Sequence, residues 1–297
     1  MNLFVQGMRR SGTTIVYDVL SEDPRFDVYY EPLAAGKKTI GGGSGVQSID
    51  VFEKVRRLRS DFLEQYSRPL SPELLNHGAP RAPETEFEAD VPEYIRDYLG
   101  FIVSKAEDTA IKFTRMYRKV RALWELDPTA KLVHVVRDPR ATTVSYLFGK
   151  GQKHKHKFRS ADELFGRTSG YSAWSSHPFS EFLLATDEFR HLRGCEDFMR
   201  ILLLWKFTFR ETRRDGRDLF GPRYMLLRHE DLTADPERTV GSLYDFIGCP
   251  PPPQILHWAR SNVRPARAPY AADDRRWREG VARLDMRAEL EAAGYDL

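Results

Sequence analysis

The 297-residue sequence predicts a doubly wound α/β fold, a parallel sheet flanked by helices and carrying helical insertions. Three observations predict it. A short apolar run at residues 2–6 stops at Gly7 and passes into a helical pattern. Further apolar runs of strand length then alternate with helical segments along the chain. The composition, 41% hydrophobic and 12% aromatic, supports a sizeable core and is too rich in aromatic residues for a disordered chain.

Taken in order, residues 2–6 fit a buried first strand. In "TTIVYDVLSEDP", Ile15, Val16, Val19 and Leu20 recur at helical spacing and Pro24 ends the pattern. "FDVYY" is a second strand, and strand, glycine loop, helix, strand is the βαβ unit of a parallel sheet. Residues 36–49 are glycine-rich loop; helices are expected over about 50–65 and 92–105, with a proline-punctuated connection at 67–91. "TAIKF" and "KLVHVV" are the third and fourth strands, each followed by a helix. After Arg137, Asp138 is a good N-cap and Pro139 a good first-turn residue. Residues 149–180 are polar and lack periodicity, whereas "CEDFMRILLLWKFTFRETRR" is a long, mostly buried helix. "RYMLLR" is the fifth strand, and "DPERTVGSLYDFIG" is a helix capped by Asp235 and closed by Gly248. No repeat is apparent, so residues 1–297 read as one α/β domain with insertions at about 36–108 and 149–200.

Forty-six basic and 43 acidic side chains leave a net charge of +3, with no long basic arm. Nucleic acid is therefore not expected as a partner, and any anion must be held by a local cluster. Cys195 and Cys249 stand far apart and form neither a metal-ligand pair nor a disulfide framework. The chain shows no run long or apolar enough for a signal-peptide core or a membrane span, and the expectation is a soluble, cytoplasmic protein.

The chemistry starts at "GMRRSGTT", Gly7 to Thr14. Two glycines bracket four residues, the spacing of a phosphate-cradling P-loop. A glycine turn that opens a helix aims backbone N–H groups at one point, where the helix dipole also favours an anion. Ser11, Thr13 and Thr14 add hydroxyl donors, and Arg9 and Arg10 add charge. A nucleotide kinase needs a lysine where Thr13 stands, so ATP-driven phosphoryl transfer is disfavoured though still open. A structural turn remains the bland alternative.

"RRSGTT" resembles the 5′-phosphosulfate loop of sulfotransferases that use 3′-phosphoadenosine-5′-phosphosulfate (PAPS), where a Lys or Arg precedes Ser-Gly-Thr. "KLVHVVRDPRATTVSYL" is similar to that family's 3′-phosphate segment, with Arg137 at the strand end and Ser145 eight positions later. "RYMLLRHEDLTADPERTVGSLYDFIG" is similar to its late strand, Glu-Asp-Leu turn and helix, with His229 where the family usually has Tyr. The resemblance covers about residues 1–35, 109–148 and 196–250. It implies a P-loop-type fold, PAPS as donor and no metal. Arg137 leaves the carboxyl end of a strand, where open α/β sheets bind ligands, and together with Ser145 it can clasp a phosphate. The alternative for this pair is a helix-capping arginine and a packed serine.

Sulfuryl transfer needs an in-line acceptor, cations on the oxygens that gain charge, and a base. Glu31 in "YYEPL" is the candidate base, because carbohydrate and tyrosylprotein sulfotransferases place a glutamate after the second strand and "EPL" resembles the carbohydrate group. Its alternative is a helix-capping or Arg-paired carboxylate. The cytosolic branch uses a histidine two residues beyond a lysine, but in "IKFTR" Thr114 follows Lys112 at that spacing. Lys112, with Arg10, is the candidate for stabilising the bridging oxygen, Arg115 is a second possibility, and a solvated lysine is the alternative. Arg276 and Trp277 in "RRWREG" are candidates for the adenine end of the donor, against a plain surface helix start. "GKGQKHKHKF", 149–158, suggests a lid over the acceptor; His154 and His156 fit a solvated basic loop better than a metal site.

The sequence therefore predicts a PAPS-dependent sulfotransferase acting on a hydroxyl of a carbohydrate or small metabolite, related to the carbohydrate, tyrosylprotein and bacterial members. A tyrosine or phenol acceptor, a small-molecule kinase and a non-catalytic adenosine-phosphate module stay open.

Overall fold

The computed structural model describes residues 1–34, 39–40, 49–78, 82–148, 160–168 and 176–296. Its strands are β1 (Asn2–Gln6), β2 (Asp27–Tyr30), β3 (Thr39–Ile40), β4 (Ile49–Asp50), β5 (Thr109–Phe113), β6 (Lys131–Val136) and β7 (Tyr224–Arg228). Five of them form a parallel sheet in the order β2-β5-β1-β6-β7, the doubly wound arrangement the sequence predicted. β3 and β4 pair antiparallel by themselves, β3 within the segment expected to be loop and β4 across its junction with the expected helix.

The helices are α1 (Thr13–Ser21), α2 (Glu53–Gln65), α3 (Pro83–Phe87), α4 (Glu93–Val103), α5 (Val120–Leu126), α6 (Pro139–Phe148) and α7 (Ala161–Phe165). There follow α8 (His177–Ala185), α9 (Asp197–Asp215), α10 (His229–Ala234), α11 (Pro236–Ile247), α12 (Pro253–Asn262), α13 (Arg275–Arg283) and α14 (Arg287–Ala293). Their starts follow local rules. Asp138 accepts from Arg140 N–H at 2.7 Å at the head of α6, and Asp235 accepts from Arg238 N–H at the head of α11. Gly248 closes α11 at φ 90°, a left-handed conformation that favours glycine.

Alternation along each strand sends neighbouring residues to opposite faces. Leu3, Val5, Ala110, Val133 and Val135 pack with α1, α11 and α12. Phe4, Ile111, Phe113 and Leu132 pack on the other face with α2, α4 and α5. β1 is consequently dry on both sides: Leu3, Phe4 and Val5 are at most 1% exposed, as central parallel strands require. A third cluster gathers α6, α8, α9, α13 and α14, and α9 is buried over most of its circumference.

This topology selects the site. The chain leaves β1 toward β2 on one side of the sheet and leaves β6 toward β7 on the other. The carboxyl ends of the adjacent strands β1 and β6 thus flank a switch point, where open α/β sheets leave a crevice for ligands.

Candidate functional site

β1 can enter its loop only through glycine. A Cβ on Gly7 would lie 2.4 Å from the Val135 carbonyl and 2.7 Å from Ser11 Oγ. The loop then turns tightly: Ser11 N–H returns to the Met8 carbonyl at 3.1 Å, and Arg10 takes φ 75°. Gly12 precedes α1 at φ 99°, and a Cβ there would lie 2.4 Å from His229 Nδ1. No side chain caps α1. Its first N–H groups and the positive end of its dipole are the raw material of an anion site.

Two strands bring cations and hydroxyls to this loop. Arg10 Nε donates to Ser145 Oγ of α6 at 2.8 Å. Arg137, just past β6, donates through Nη1 to the Arg10 carbonyl at 3.3 Å. Arg10, Arg137 and Ser145 therefore form one cluster. Burial lowers the Arg10 pKa, with neighbouring Arg9 as the next cause, and burial likewise lowers that of Arg137. Desolvated like charges of this kind are relieved by a bound anion. Two atoms at the cluster, Ser11 Oγ and Arg137 Nε, are buried without a protein partner. Buried donors seldom go unpaired, so groups like these fit a ligand of several acceptor oxygens. Thr13 is 3% exposed, and Thr14 Oγ1 lies 3.5 Å from the Tyr30 hydroxyl. Arg9 is exposed at the mouth of the loop.

Glu31 and Lys112 form an ion pair beside the loop, at the carboxyl ends of β2 and β5. Lys112 is 2% exposed and its Nζ lies 4.1 Å over the Tyr30 ring, so the solvated-lysine alternative is not realised. Glu31 N–H donates to the Lys112 carbonyl at 2.8 Å, extending the β2–β5 ladder by one bond. Glu31 itself has φ 44°, left-handed for a residue with a side chain. Arg59 of α2 holds the following turn, donating to the carbonyls of Pro32 (2.8 Å), Ala34 (3.2 Å) and Leu75 (3.0 Å) and to Asn76 Oδ1 (2.7 Å). Arg115 instead turns to Glu86 in a buried pair at 3.2 Å, with the Tyr117 hydroxyl on the same carboxylate.

A family model described as the sulfotransferase domain matches residues 1–267. The chain belongs to this family. Among curated relatives, carbohydrate sulfotransferase 3 of Mus musculus is 28% identical over 173 residues, 57% of this chain and 31% of its own length. Carbohydrate sulfotransferase 1 of Mus musculus is 28% identical over 159 residues, 52% of this chain and 33% of its own length. The chain thus spans about a third of the length of these relatives. Among solved structures, a sulfotransferase from Mycobacterium avium superposes with a TM-score of 0.55 at 14% identity, covering 100% of this chain and 77% of that one. A sulfotransferase domain from the curacin biosynthetic pathway gives 0.50 at 14% identity, covering 99% and 98%. At such identities the likeness shows the fold, which is the P-loop-type sulfotransferase fold that the motifs implied.

Within this sulfotransferase-domain chain the adenine-end candidates need correction. Trp277 is 1% exposed and wedged edge-to-face between Phe165 and Phe198, with Nε1 on the Ala271 carbonyl at 2.9 Å. A ring so enclosed has no face left for a base to stack on. Arg276 is taken up by Asp274 at 2.6 Å and Asp162 at 2.8 Å and does not join the Arg10–Arg137 cluster. Residues 149–158, with His154 and His156, lie outside the described residues. Among the described residues no group of His, Cys, Asp or Glu is placed to hold a metal ion, and no helix is long and apolar enough to cross a membrane.

Sequence reading passed over Tyr30, Arg59, Trp205, Glu230 and Tyr295. Tyr30 and Glu230 stood inside quoted motifs, next to Glu31 and His229, and adjacency was their available signal. Arg59 meets the turn 27 residues earlier in the chain, and no local pattern announces such a contact.

Proposed function

We propose that this protein transfers the sulfuryl group of PAPS to a hydroxyl of a carbohydrate acceptor. The carrying observation is the Arg10–Arg137–Ser145 cluster at the switch point, with buried unpartnered donors on Ser11 and Arg137, beside the part-buried Glu31–Lys112 pair. PAPS is anionic at both ends, and two anion-binding elements meet here. Ser11, Gly12, Thr13, Thr14 and the α1 N-terminus would hold the 5′-phosphosulfate, and Arg137 and Ser145 the 3′-phosphate. When bound, the donor supplies a sulfuryl group activated on a phosphate leaving group.

The chain supplies the rest. Glu31 takes the proton of the acceptor hydroxyl on a carboxylate oxygen. Lys112, ion-paired with Glu31 and lying over the Tyr30 ring, would share its charge with an anion held in the loop. Arg10 holds positive charge against the loop where negative charge grows. The carbohydrate acceptor is supported by the "EPL" motif and by the names of the relatives with which this chain shares a third of their length.

Calorimetry with adenosine 3′,5′-bisphosphate and with ATP–magnesium tests the donor. Binding of the bisphosphate alone is expected; tight ATP binding with no response to the bisphosphate would return the kinase reading. Glu31→Gln is expected to lower sulfate transfer by at least ~100-fold while bisphosphate affinity stays within about twofold. Full turnover by that variant on every acceptor removes Glu31 as the base. Mass spectrometry across saccharide and phenol acceptors separates the carbohydrate from the tyrosine or phenol reading.

A further inference from the structure

The peptide group joining Arg137 to Asp138 is gripped on both of its polar atoms by side chains from other elements. Its carbonyl accepts from Trp205 Nε1 of α9 at 2.8 Å. Its N–H donates to Glu230 Oε1 of α10 at 3.0 Å. The other oxygen of that carboxylate, Oε2, accepts from the Tyr295 hydroxyl at 2.6 Å. Tyr295 follows α14 and is 6% exposed. The Arg228 guanidinium lies 4.6 Å over its ring, and the Trp205 ring meets it edge-on at 6.3 Å. Trp205, the peptide, Glu230 and Tyr295 thus close a circuit.

A peptide unit is planar, so fixing its two polar atoms fixes ψ of the residue before it and φ of the residue after it. The residue before it is Arg137. Glu230 can hold the Asp138 N–H in one orientation only if its second oxygen is tied as well, and the Tyr295 hydroxyl ties it. Without that hydroxyl the carboxylate is free to rotate about its last side-chain bond, and the peptide loses one of its two anchors.

We propose that Tyr295 is a positioning residue for donor recognition: acting through Glu230 on the 137–138 peptide, it aims the Arg137 guanidinium at the donor's 3′-phosphate. The inference rests on the donor reading given above.

The test compares adenosine 3′,5′-bisphosphate with adenosine 5′-monophosphate by calorimetry, in the full chain and in Tyr295→Phe, which keeps the ring and removes one oxygen. The variant is expected to lose about fivefold in bisphosphate affinity, the order of one net hydrogen bond, with the monophosphate changed by less than about twofold. In turnover the donor KM rises and kcat at saturating donor holds. Glu230→Gln keeps an acceptor for Asp138 N–H and a donor for the Tyr295 oxygen, and is expected to bind the bisphosphate better than Glu230→Ala. It carries the same comparison if Tyr295→Phe folds poorly. Equal weakening of both nucleotides, or no change in either, overturns the inference while the donor reading stands. Failure of the unaltered protein to distinguish the two nucleotides overturns the donor reading and the inference together.

Discussion

Arg10 and Glu31 hold left-handed backbone angles, φ 75° and 44°, and both lie at the site. Such conformations cost about 1–3 kcal/mol each for residues with side chains and persist where the surroundings over-determine them. At Arg10 the strain coincides with a buried charge lowered in pKa by burial and by Arg9. Arg10→Gly should relieve both, leaving stability unchanged or raised by up to about 1 kcal/mol while bisphosphate binding falls at least tenfold. Urea melts and calorimetry on the same sample check this. A clear loss of stability would mean that the Arg10–Ser145 bond outweighs the strain. Glu31 differs, because its removal strands the buried Lys112 ammonium, so a conservative exchange to Gln is the informative one there.

At the scale of elements, the catalytic candidates sit on strand ends but are aimed by helices. α2 lies outside the βαβ core, yet its Arg59 meets three main-chain carbonyls of the Glu31 turn and its neighbour. Burial lowers the Arg59 pKa, and carbonyl dipoles surround the cation. Arg59→Met retains most of the buried stem and removes every donor. It is expected to cost about 2–4 kcal/mol, through unpaired carbonyls, and to depress kcat more than donor affinity. Denaturant titration with steady-state kinetics reads both. A variant that loses stability but keeps full kcat would show that the turn needs no clamp to present Glu31.

At the scale of the whole molecule, three buried histidines among the described residues couple stability to pH. Burial brings His229 down to about 4, with Arg137 adding to the effect. It brings His77 to about 4 beside Lys119, and His134 to about 3 beside Arg213. All three lie below the ordinary histidine value of 6.5. As pH falls through about 6.5, the unfolded chain takes up these protons and the native chain does not, so stability is lost. The contribution is fully present above that pH and drains away toward about pH 4 for His229 and His77 and about pH 3 for His134. Urea midpoints at pH 7.5, 6 and 4.5 should fall in that order. A flat series would place these rings in contact with solvent.

The sequence by itself determined what nearby residues decide. Gly7 and Gly12 bracket a loop between a strand and a helix, Asp138 and Pro139 start α6, and Arg137 and Ser145 share one strand-to-helix unit; each signal spans a dozen residues or fewer. The alternation of strands and helices likewise predicted a parallel sheet, and the motif resemblance implied the P-loop-type fold. Only the tertiary structure decided how these pieces meet. Glu31 and Lys112 were each legible, but their pairing joins positions 81 residues apart. The hold of Tyr295 on Glu230 spans 65 residues and leaves no periodic trace. Trp277 shows the same limit from the other side. A tryptophan at the start of a basic helix reads as a stacking platform or as part of a plain surface helix start, and the space between Phe165 and Phe198 instead encloses it. Local sequence sets backbone direction and face, whereas packing across the chain sets which side chains are enclosed together and which keep an unpaired donor for a ligand.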